Sequence, residues 1–485
     1  MNQAIRSTWI VAIALFALIF GGITYVQFFA VDELKNNPWN NRALLQNFCN
    51  ERGTILVGGQ PIAQSVPSTN GDTCKYQRQY NNPLLYSGIT GFFSRSFGQT
   101  GLEKQMENDL TGNTDQLFYD RVVSMFLGNQ PKGASVELTI DPKIQALAYS
   151  LIPDGQRGSI VVMNPKTGNI IAMVSKPSYD TNLMASHNPS AVAKAWSQLK
   201  DVPGISLYNS AATGDLYSPG SVFKLVDTAA ALSSGKYNKD SVLPNPAALP
   251  LPGTNVSLPN YLYGGCSAQT EADFAFALEQ SCNTPFAHIA LDLGQNAIAE
   301  QARKFGFGQD AGDQLKLDYT PSVFPSDLNQ AQLAQSAVGQ FDVKATPLQI
   351  ALMTAAIANN GVQMKPNLIK ALRGPDLRPY DEPKPEVLRT STTPEISKQI
   401  TSWMTDVVDK GIASGAQVPG VEVAGKTGTA ELGAGGQNNS WFTGFAPAND
   451  PQVVVSIVMQ DVDIRTGAQL TSPNAKKLIE AVLNK

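Results

Sequence analysis

The stretch Ser218-Pro219-Gly220-Ser221-Val222-Phe223-Lys224 places a hydroxyl and an amine three residues apart where a helix is about to begin. A Pro-Gly pair breaks the preceding chain, and an apolar pattern with helical spacing follows over residues 222–234, so one helix face is predicted to carry Ser221 and Lys224. A serine hydroxyl attacks well only when a base removes its proton, and a desolvated lysine amine can serve as that base. Alone the pattern is weak evidence, because a capping serine and a solvated lysine have the same spacing.

A second motif, Ser281-Cys282-Asn283, follows about sixty residues later between two predicted helices. A hydroxyl and an amide one residue apart in a turn can point into the same cleft. Ser281 would then relay protons, and Asn283 would donate to an amide carbonyl of a substrate. The alternative is an ordinary capping turn, in which such side chains bond to nearby backbone.

A third motif, Lys426-Thr427-Gly428-Thr429-Ala430, lies on a predicted strand. Gly428 leaves room for a peptide-like substrate to lie flat along that strand. Lys426 and Thr427 supply a positive charge and a hydroxyl, which suit an anionic carboxylate. The alternative is an edge-strand lysine followed by a bulge glycine.

The three motifs occur in the order S-x-x-K, S-x-N and K-T-G, which is the motif set of the penicillin-recognising serine enzymes. The chain resembles the class B penicillin-binding proteins over nearly its whole length, and most of all their actinobacterial penicillin-binding protein A subfamily. The resembling segments outside the motifs are 158–168, 175–180, 339–340, 346–349 and 441–447. The middle residue of S-x-N is Cys282 where the usual motif has Asp, a position that varies in the family.

The resemblance implies an α+β fold, in which an antiparallel five-stranded sheet carries helices on both faces. A smaller N-terminal pedestal domain and one transmembrane helix complete the expected architecture. The expected parts are a cytoplasmic tip and transmembrane anchor at 1–30, a non-catalytic, dimerisation-like pedestal at 31–145, and a transpeptidase domain at 146–485.

The resemblance also implies a role for each motif residue in a peptidoglycan D,D-transpeptidase. Ser221 would attack the penultimate D-Ala carbonyl of a stem peptide, with Lys224 as base, and Ser281 would pass a proton to the leaving amine. Asn283 would hold the acyl chain. The backbone N–H groups of Ser221 and Thr429 would form the oxyanion hole. The residues expected to bind the substrate carboxylate and backbone are Lys426, Thr427, Gly428 and Thr429.

The net charge, the histidines and the cysteine spacing argue against several classes of function. The 485-residue chain has a net charge of -4, which gives no support to a nucleic-acid partner. Its histidines are His187 and His288, and its four cysteines form no C-x-x-C pair, so neither a zinc site nor any other metal or cofactor is predicted. A serine triad would need one of the two histidines, which leaves Lys224 as the favoured base.

The N-terminal residues 9–30 contain no charge and are long enough to cross a bilayer. Arg6 precedes them, and Asp32 and Glu33 follow, so the N-terminus is predicted in the cytoplasm and the rest of the chain outside. A cleaved signal peptide and a buried core helix remain alternatives.

The four cysteines of an exported chain suggest disulfides. They fall into sequence pairs, Cys49 with Cys74 and Cys266 with Cys282, and this local pairing is predicted among three connectivities. Four free thiols are the alternative. A bridge at Cys282 would tether the wall opposite the nucleophile and limit its movement.

The expected partners are peptidoglycan stem peptides, β-lactam antibiotics, the membrane through the N-terminal helix, and divisome proteins, with a role in wall synthesis and septation. About a hundred residues separate the anchor from the linker at 131–133, too few for a glycosyltransferase domain. The alternatives are a D,D-carboxypeptidase, a β-lactamase, and a β-lactam sensor or division scaffold without turnover.

Patterns along the catalytic region predict a hairpin of residues 158–163 and 170–174 that joins late strands in one antiparallel sheet, with helices packed against it. The predicted late strands are 421–430, 441–445 and 452–459. The predicted helices after the nucleophile are 271–279, 285–293, 347–358 and 474–483, and a Pro-rich loop is predicted at 374–385.

Overall fold

A computed structural model describes residues 3–35, 48–69, 72, 74–117, 123, 126, 132–260, 265–433 and 435–484. Its strands are β1 (Ile55–Val57), β2 (Gln60–Pro67), β3 (Tyr76–Tyr80), β4 (Phe93–Ser94), β5 (Gly98–Gln99), β6 (Ser135–Leu138), β7 (Gly158–Met163), β8 (Ile170–Lys176), β9 (Val242–Pro244), β10 (Ala248–Pro250), β11 (Ser257–Pro259), β12 (Glu271–Asp273), β13 (Val362–Met364), β14 (Ile369–Arg373), β15 (Pro379–Asp381), β16 (Val387–Thr390), β17 (Ala424–Glu431), β18 (Asn438–Ala446) and β19 (Val453–Val462).

The α-helices are Gln3–Thr24, Val31–Lys35, Pro83–Thr90, Gly101–Gln105, Glu107–Leu110, Pro142–Ser150, Asn182–Ala185, Pro189–Leu199, Ala211–Gly214, Lys224–Ser233, Phe274–Glu279, Thr284–Leu293, Gln295–Lys304, Gly312–Leu315, Gln330–Ser336, Pro347–Ala358, Pro394–Asp409, Ile464–Leu470 and Ser472–Leu483. Short 3-10 helices are Asp115–Leu117, Gly220–Phe223, Gly265–Ala268 and Ser414–Ala416, and a π-helix spans Tyr25–Phe29.

The central sheet has five antiparallel strands in the order β17-β18-β19-β7-β8. The predicted union of the early hairpin with the late strands is therefore confirmed. Every residue of β18 is buried, and since successive side chains of a strand point to opposite faces, both faces of the sheet are covered. The helices Pro347–Ala358 and Ser472–Leu483 both pack on β19, and the first of them is buried along its whole length.

The segment that carries the first motif begins as a 3-10 helix, Gly220–Phe223, and continues as the α-helix Lys224–Ser233. The predicted helix at 222–234 is confirmed, with a tighter first turn. The helices Thr284–Leu293, Gln295–Lys304 and Pro394–Asp409 pack against it, so its first eight residues are buried, charged ones included.

Two local predictions are corrected. Residues 271–273, predicted as the start of a helix, form β12, because Asp273 caps the helix that follows and accepts a hydrogen bond from the Phe276 N–H. The predicted loop at 374–385 contains β15, which pairs with β14. An additional helix, Ile464–Leu470, begins after Asp463, whose side chain caps its first turn.

A second sheet has six strands in the order β15-β14-β6-β1-β2-β3. Its neighbours are antiparallel except β1 and β6, which are parallel. Four of its strands precede residue 146, whereas β14 and β15 come from the second half of the chain. The non-catalytic sheet is thus completed by a hairpin that lies beyond the predicted domain limit at 145.

The N-terminal helix Gln3–Thr24 and the π-helix that continues it provide one span, Ile5–Phe29, long and apolar enough to cross a membrane among the described residues. Two disulfides join the same local pairs that the spacing suggested, Cys49 with Cys74 and Cys266 with Cys282.

Candidate active site

The three sequence motifs meet in one cleft of about 890 Å³. The cleft has Ser221 on one wall, the second motif on another, and β17 along its edge. The motif side chains and backbone that line it are Ser221, Ser281, Asn283, Thr427, Gly428 and Thr429. Lys224 and Lys426 lie behind this surface, where both side chains are fully buried.

Two glycines let the nucleophile turn lie directly against β17. Gly220 has a left-handed φ of 56°, and a Cβ there would come within 2.6 Å of the Thr429 carbonyl oxygen. A Cβ on Gly428 would lie 2.6 Å from the Pro219 carbonyl oxygen. Only residues without a side chain permit this approach, which places Ser221 beside the backbone of Thr429.

Lys224 reaches from the nucleophile helix to the second motif. Its Nζ donates to the Ser281 carbonyl oxygen and to Asn283 Oδ1, each at 2.8 Å, and lies 5.4 Å from the centre of the Phe286 ring. Burial lowers the pKa of Lys224 well below its usual range, and the nearby charge of Lys426 lowers it further. A lysine held in this way can carry a neutral amine, which a general base requires.

Ser281 connects the two buried lysines. Its Oγ accepts a 2.7 Å hydrogen bond from Lys426 Nζ and lies 3.4 Å from Lys224 Nζ. The residue has a φ of 58°, a left-handed conformation that costs a non-glycine residue free energy. The Ser281 hydroxyl can therefore pass a proton between the base and a group in the cleft.

Both the oxygen and the nitrogen of the Asn283 carboxamide make hydrogen bonds within the protein. Its oxygen accepts from Lys224, and its Nδ2 donates to the Pro259 carbonyl oxygen at 2.9 Å. Its backbone N–H donates to Asn260 Oδ1 at 2.7 Å. The side chain thus has a set orientation at the cleft wall.

Lys426 lies on β17 opposite Thr443. Its Nζ donates to Ser281 Oγ and to the Thr427 carbonyl oxygen, the latter at 3.1 Å. Burial lowers the pKa of Lys426 to about 7. Near neutral pH this group therefore changes charge readily, and an anionic ligand would favour its ammonium form.

Several residues that position the site were not predicted. Trp441 Nε1 donates to the Ser218 carbonyl oxygen at 3.0 Å, and Lys344 Nζ donates to Ser218 Oγ at 2.8 Å. Both hold the turn that precedes the nucleophile. Both lie outside the three motifs, and although Trp441 falls in one of the segments that resemble the family, no sequence pattern indicated its contact with the turn.

Neither histidine lines the cleft. His187 Nδ1 lies 2.5 Å from Asp72 Oδ2, near the Cys49–Cys74 bridge. Among the described residues, Asp72, Cys74 and His187 are grouped closely enough to suggest metal ligands, but the Cys74 sulfur is committed to the disulfide. Neither histidine is therefore placed in the cleft that contains Ser221, whereas the buried Lys224 contacts the second motif there.

Comparison with known proteins agrees with this geometry. The family described as "Penicillin binding protein transpeptidase domain" matches residues 158–480, and "Penicillin binding protein A dimerisation domain" matches residues 52–136. The chain belongs to the penicillin-binding protein transpeptidase family. The expected resemblance and the α+β fold with a pedestal are therefore confirmed.

Relatives in this penicillin-binding protein family extend over the whole chain. Peptidoglycan D,D-transpeptidase PbpA of Mycolicibacterium smegmatis is 37% identical, with 100% of this chain and 99% of the relative covered. The protein of the same name from Mycobacterium tuberculosis is 36% identical, with the same coverage. The imipenem acyl-enzyme structure of penicillin-binding protein A from M. tuberculosis superposes with a TM-score of 0.84 at 35% identity, covering 90% of this chain and 100% of that one.

Proposed function

We propose that the chain is a peptidoglycan D,D-transpeptidase that cross-links stem peptides through an acyl-enzyme on Ser221 and is acylated there by β-lactams. The observation that carries the proposal is the Ser281 hydroxyl, which lies between the buried amines of Lys224 and Lys426 in the same cleft as Ser221. The names of the two relatives and the acyl-enzyme structure of a similar protein support it.

Acylation begins when the Lys224 amine takes the Ser221 Oγ proton. The freed oxygen attacks the carbonyl carbon of the penultimate D-Ala, and the backbone N–H groups of Ser221 and Thr429 stabilise the resulting oxyanion. The carbon–nitrogen bond then breaks. The proton passes from Lys224 through Ser281 to the leaving amine, so the terminal D-Ala departs neutral at nitrogen and an ester remains on Ser221.

Cross-linking reverses the direction of the proton. An amine from a second stem peptide attacks the Ser221 ester, and the proton that it loses returns through Ser281 and Lys224 to the serine oxygen. An amide forms and the enzyme is regenerated. Asn283 holds the donor's amide carbonyl during both steps, while Lys426, Thr427 and Thr429 bind the terminal carboxylate along β17, where Gly428 keeps the strand surface flat.

The proposal also includes the placement of the chain relative to the membrane. The residues 1–30 would form the cytoplasmic tip and anchor, 31–145 together with the hairpin β14–β15 a non-catalytic pedestal, and the rest of 146–485 the transpeptidase domain outside the cytoplasm. The apolar span Ile5–Phe29 and Arg6 near its start support this orientation. Divisome proteins would be the partners that direct the enzyme to septa.

The proposal is tested with a purified chain, a donor stem peptide that ends in D-Ala-D-Ala, and an acceptor amine. We expect release of D-Ala together with a new cross-linked amide, and loss of both products in Ser221→Ala. Ser414→Ala is the matched control, because Ser414 also lines the cleft but lies outside the three motifs. D-Ala release with no cross-linked product in any condition would instead identify a carboxypeptidase.

A further inference from the structure

Glu431 is the last residue of β17, and its exposed side chain lines the cleft. Among the described residues that line the cleft, it is the one with a charged side chain, because Lys224 and Lys426 lie buried behind the surface. Its carboxylate forms no hydrogen bond or ion pair with any residue that the structure describes. This negative charge is therefore available to a cationic group of a ligand.

The strand β17 presents Glu431 on the same face as two threonines of the third motif. Thr427 and Thr429 are partly exposed and Glu431 is exposed, whereas the residues between them are buried. Successive side chains of a strand point to opposite faces, so these three side chains form one row. Since β17 is the edge strand of the central sheet, an extended peptide can lie along it beside this row.

The proposed reaction fixes which part of the donor peptide lies near Glu431. The terminal carboxylate binds at Lys426 and Thr427, and the carbonyl that Ser221 attacks lies beside Thr429, where the two backbones are in close contact. In an extended peptide, the third residue from the carboxyl end has its Cα about 5 Å beyond that carbonyl. The Cα of Glu431 lies about 7 Å beyond that of Thr429 in the same direction. The side chain of the donor's third residue can therefore reach the carboxylate.

We propose that Glu431 is a specificity-determining residue that binds the free side-chain ammonium of a diamino acid at the third position of the donor. This inference rests on the proposed function, which supplies the direction of the donor along β17. The acceptor amine of that reaction belongs to a second stem peptide, so a donor of the same composition carries the amine too. A carboxylate attracts an ammonium more strongly than a neutral amide. The cleft thus selects donors whose amine is not yet cross-linked.

The test measures D-Ala release by the purified chain from two donors that end in D-Ala-D-Ala. The residue before this pair is lysine in one donor and Nε-acetyl-lysine in the other. We expect kcat/KM to favour the free amine about threefold to fivefold, the range for an ion pair at an exposed site. In Glu431→Gln the ratio should fall close to one. Glu422→Gln is the matched control, because Glu422 is exposed just before β17 but does not line the cleft, and it should keep the ratio.

Acylation by β-lactams gives a second readout of the same charge. Ampicillin and carbenicillin share one aromatic side chain and differ at its α carbon, which bears an amine in the first and a carboxylate in the second. At about pH 6, where the amine is protonated, Glu431→Gln should raise the rate for carbenicillin relative to that for ampicillin several-fold. The rate ratio cancels any general change in the reactivity of Ser221.

Two results would overturn the inference and leave the proposed function in place. One is equal kcat/KM for both donors with the unmodified chain, and the other is a preference for the free amine that persists in Glu431→Gln. A chain that releases no D-Ala from either donor and is never acylated on Ser221 would overturn the proposed function as well.

Discussion

Ser281 and Lys426 show how single residues set the chemistry of the cleft. The Ser281 hydroxyl is placed by a left-handed backbone conformation and accepts a hydrogen bond from Lys426 Nζ, which also donates to the Thr427 carbonyl oxygen. Because burial lowers the pKa of Lys426 to about 7, the positive charge that would bind a carboxylate is present below this pH and is lost above it.

The charge of Lys426 should make the binding of a carboxylate depend on pH. A stem-peptide analogue with a free terminal carboxylate should bind Ser221→Ala protein best below pH 7, and its affinity should fall about tenfold per unit at higher pH until the complex itself titrates. Isothermal titration calorimetry at a series of pH values measures this affinity. The same peptide with a terminal amide is the control and should show little dependence. A carboxylate peptide whose affinity is flat from pH 6 to about 9 would contradict the assignment of Lys426.

The close contact between the nucleophile turn and β17 places Ser221 at the edge of the strand. Gly428→Ala would place a methyl group 2.6 Å from the Pro219 carbonyl oxygen, so the turn and the strand must separate. We expect acylation by benzylpenicillin to slow by about a hundredfold, as for loss of an oxyanion donor. Gly435→Ala, at a position with open space, should acylate normally. Equal rates for both variants would show that the close contact is not needed.

The Cys266–Cys282 bridge is the second element-scale feature, since it joins the S-x-N motif to the short helix Gly265–Ala268. If it limits movement of that wall, Cys266→Ser should acylate at a changed rate while its fold is retained. Stopped-flow acylation of this variant and of Cys49→Ser, which opens the distant bridge, measures the difference. Equal rates and equal structures for Cys266→Ser and the unmodified chain would refute the prediction.

The sequence predicted those helices, strands and motif residues that depend on the local pattern of residues. The motif residues Ser221, Ser281 and Lys426 lie on or beside helices and strands with clear periodicity. The order of the three motifs predicted that they would lie in one cleft. The position of β15 and the contacts of Trp441 and Lys344 depend on pairing between segments far apart in the chain, which periodicity does not encode. The burial of Asp227 could not be foreseen either, because an acid three residues after a lysine ordinarily indicates a solvated helix face.

The two large sheets of the molecule are linked along the chain, because the hairpin β14–β15 comes from the second half of the chain and pairs with β6 in the six-stranded sheet. In the pedestal, Glu103 is fully buried and accepts from Arg52 Nε and Arg78 Nε, each at 2.7 Å. Burial alone would raise the pKa of Glu103, but Arg78 and Arg52 together lower it. This cluster fixes the strands that support the catalytic domain without touching the cleft.

Glu103→Gln should therefore destabilise the pedestal strongly and leave the cleft chemistry intact. Removing one member of a buried ionic cluster costs about 3–5 kcal/mol, because the arginines remain buried without their partner. Chemical denaturation followed in the soluble part of the chain measures the free energy of unfolding. Lys104→Met, which removes the exposed pair with Asp318, should cost at most about 1 kcal/mol. A Glu103→Gln variant as stable as Lys104→Met would show that the cluster does not hold the pedestal.

An acyl-enzyme on Ser221 is detected by the mass of the intact chain after incubation with benzylpenicillin, followed by mapping of the modified peptide. We expect one added benzylpenicilloyl group, carried by Ser221 and absent from Ser221→Ala. An adduct on any other residue, or an unmodified mass under conditions in which the chain is folded, would contradict it.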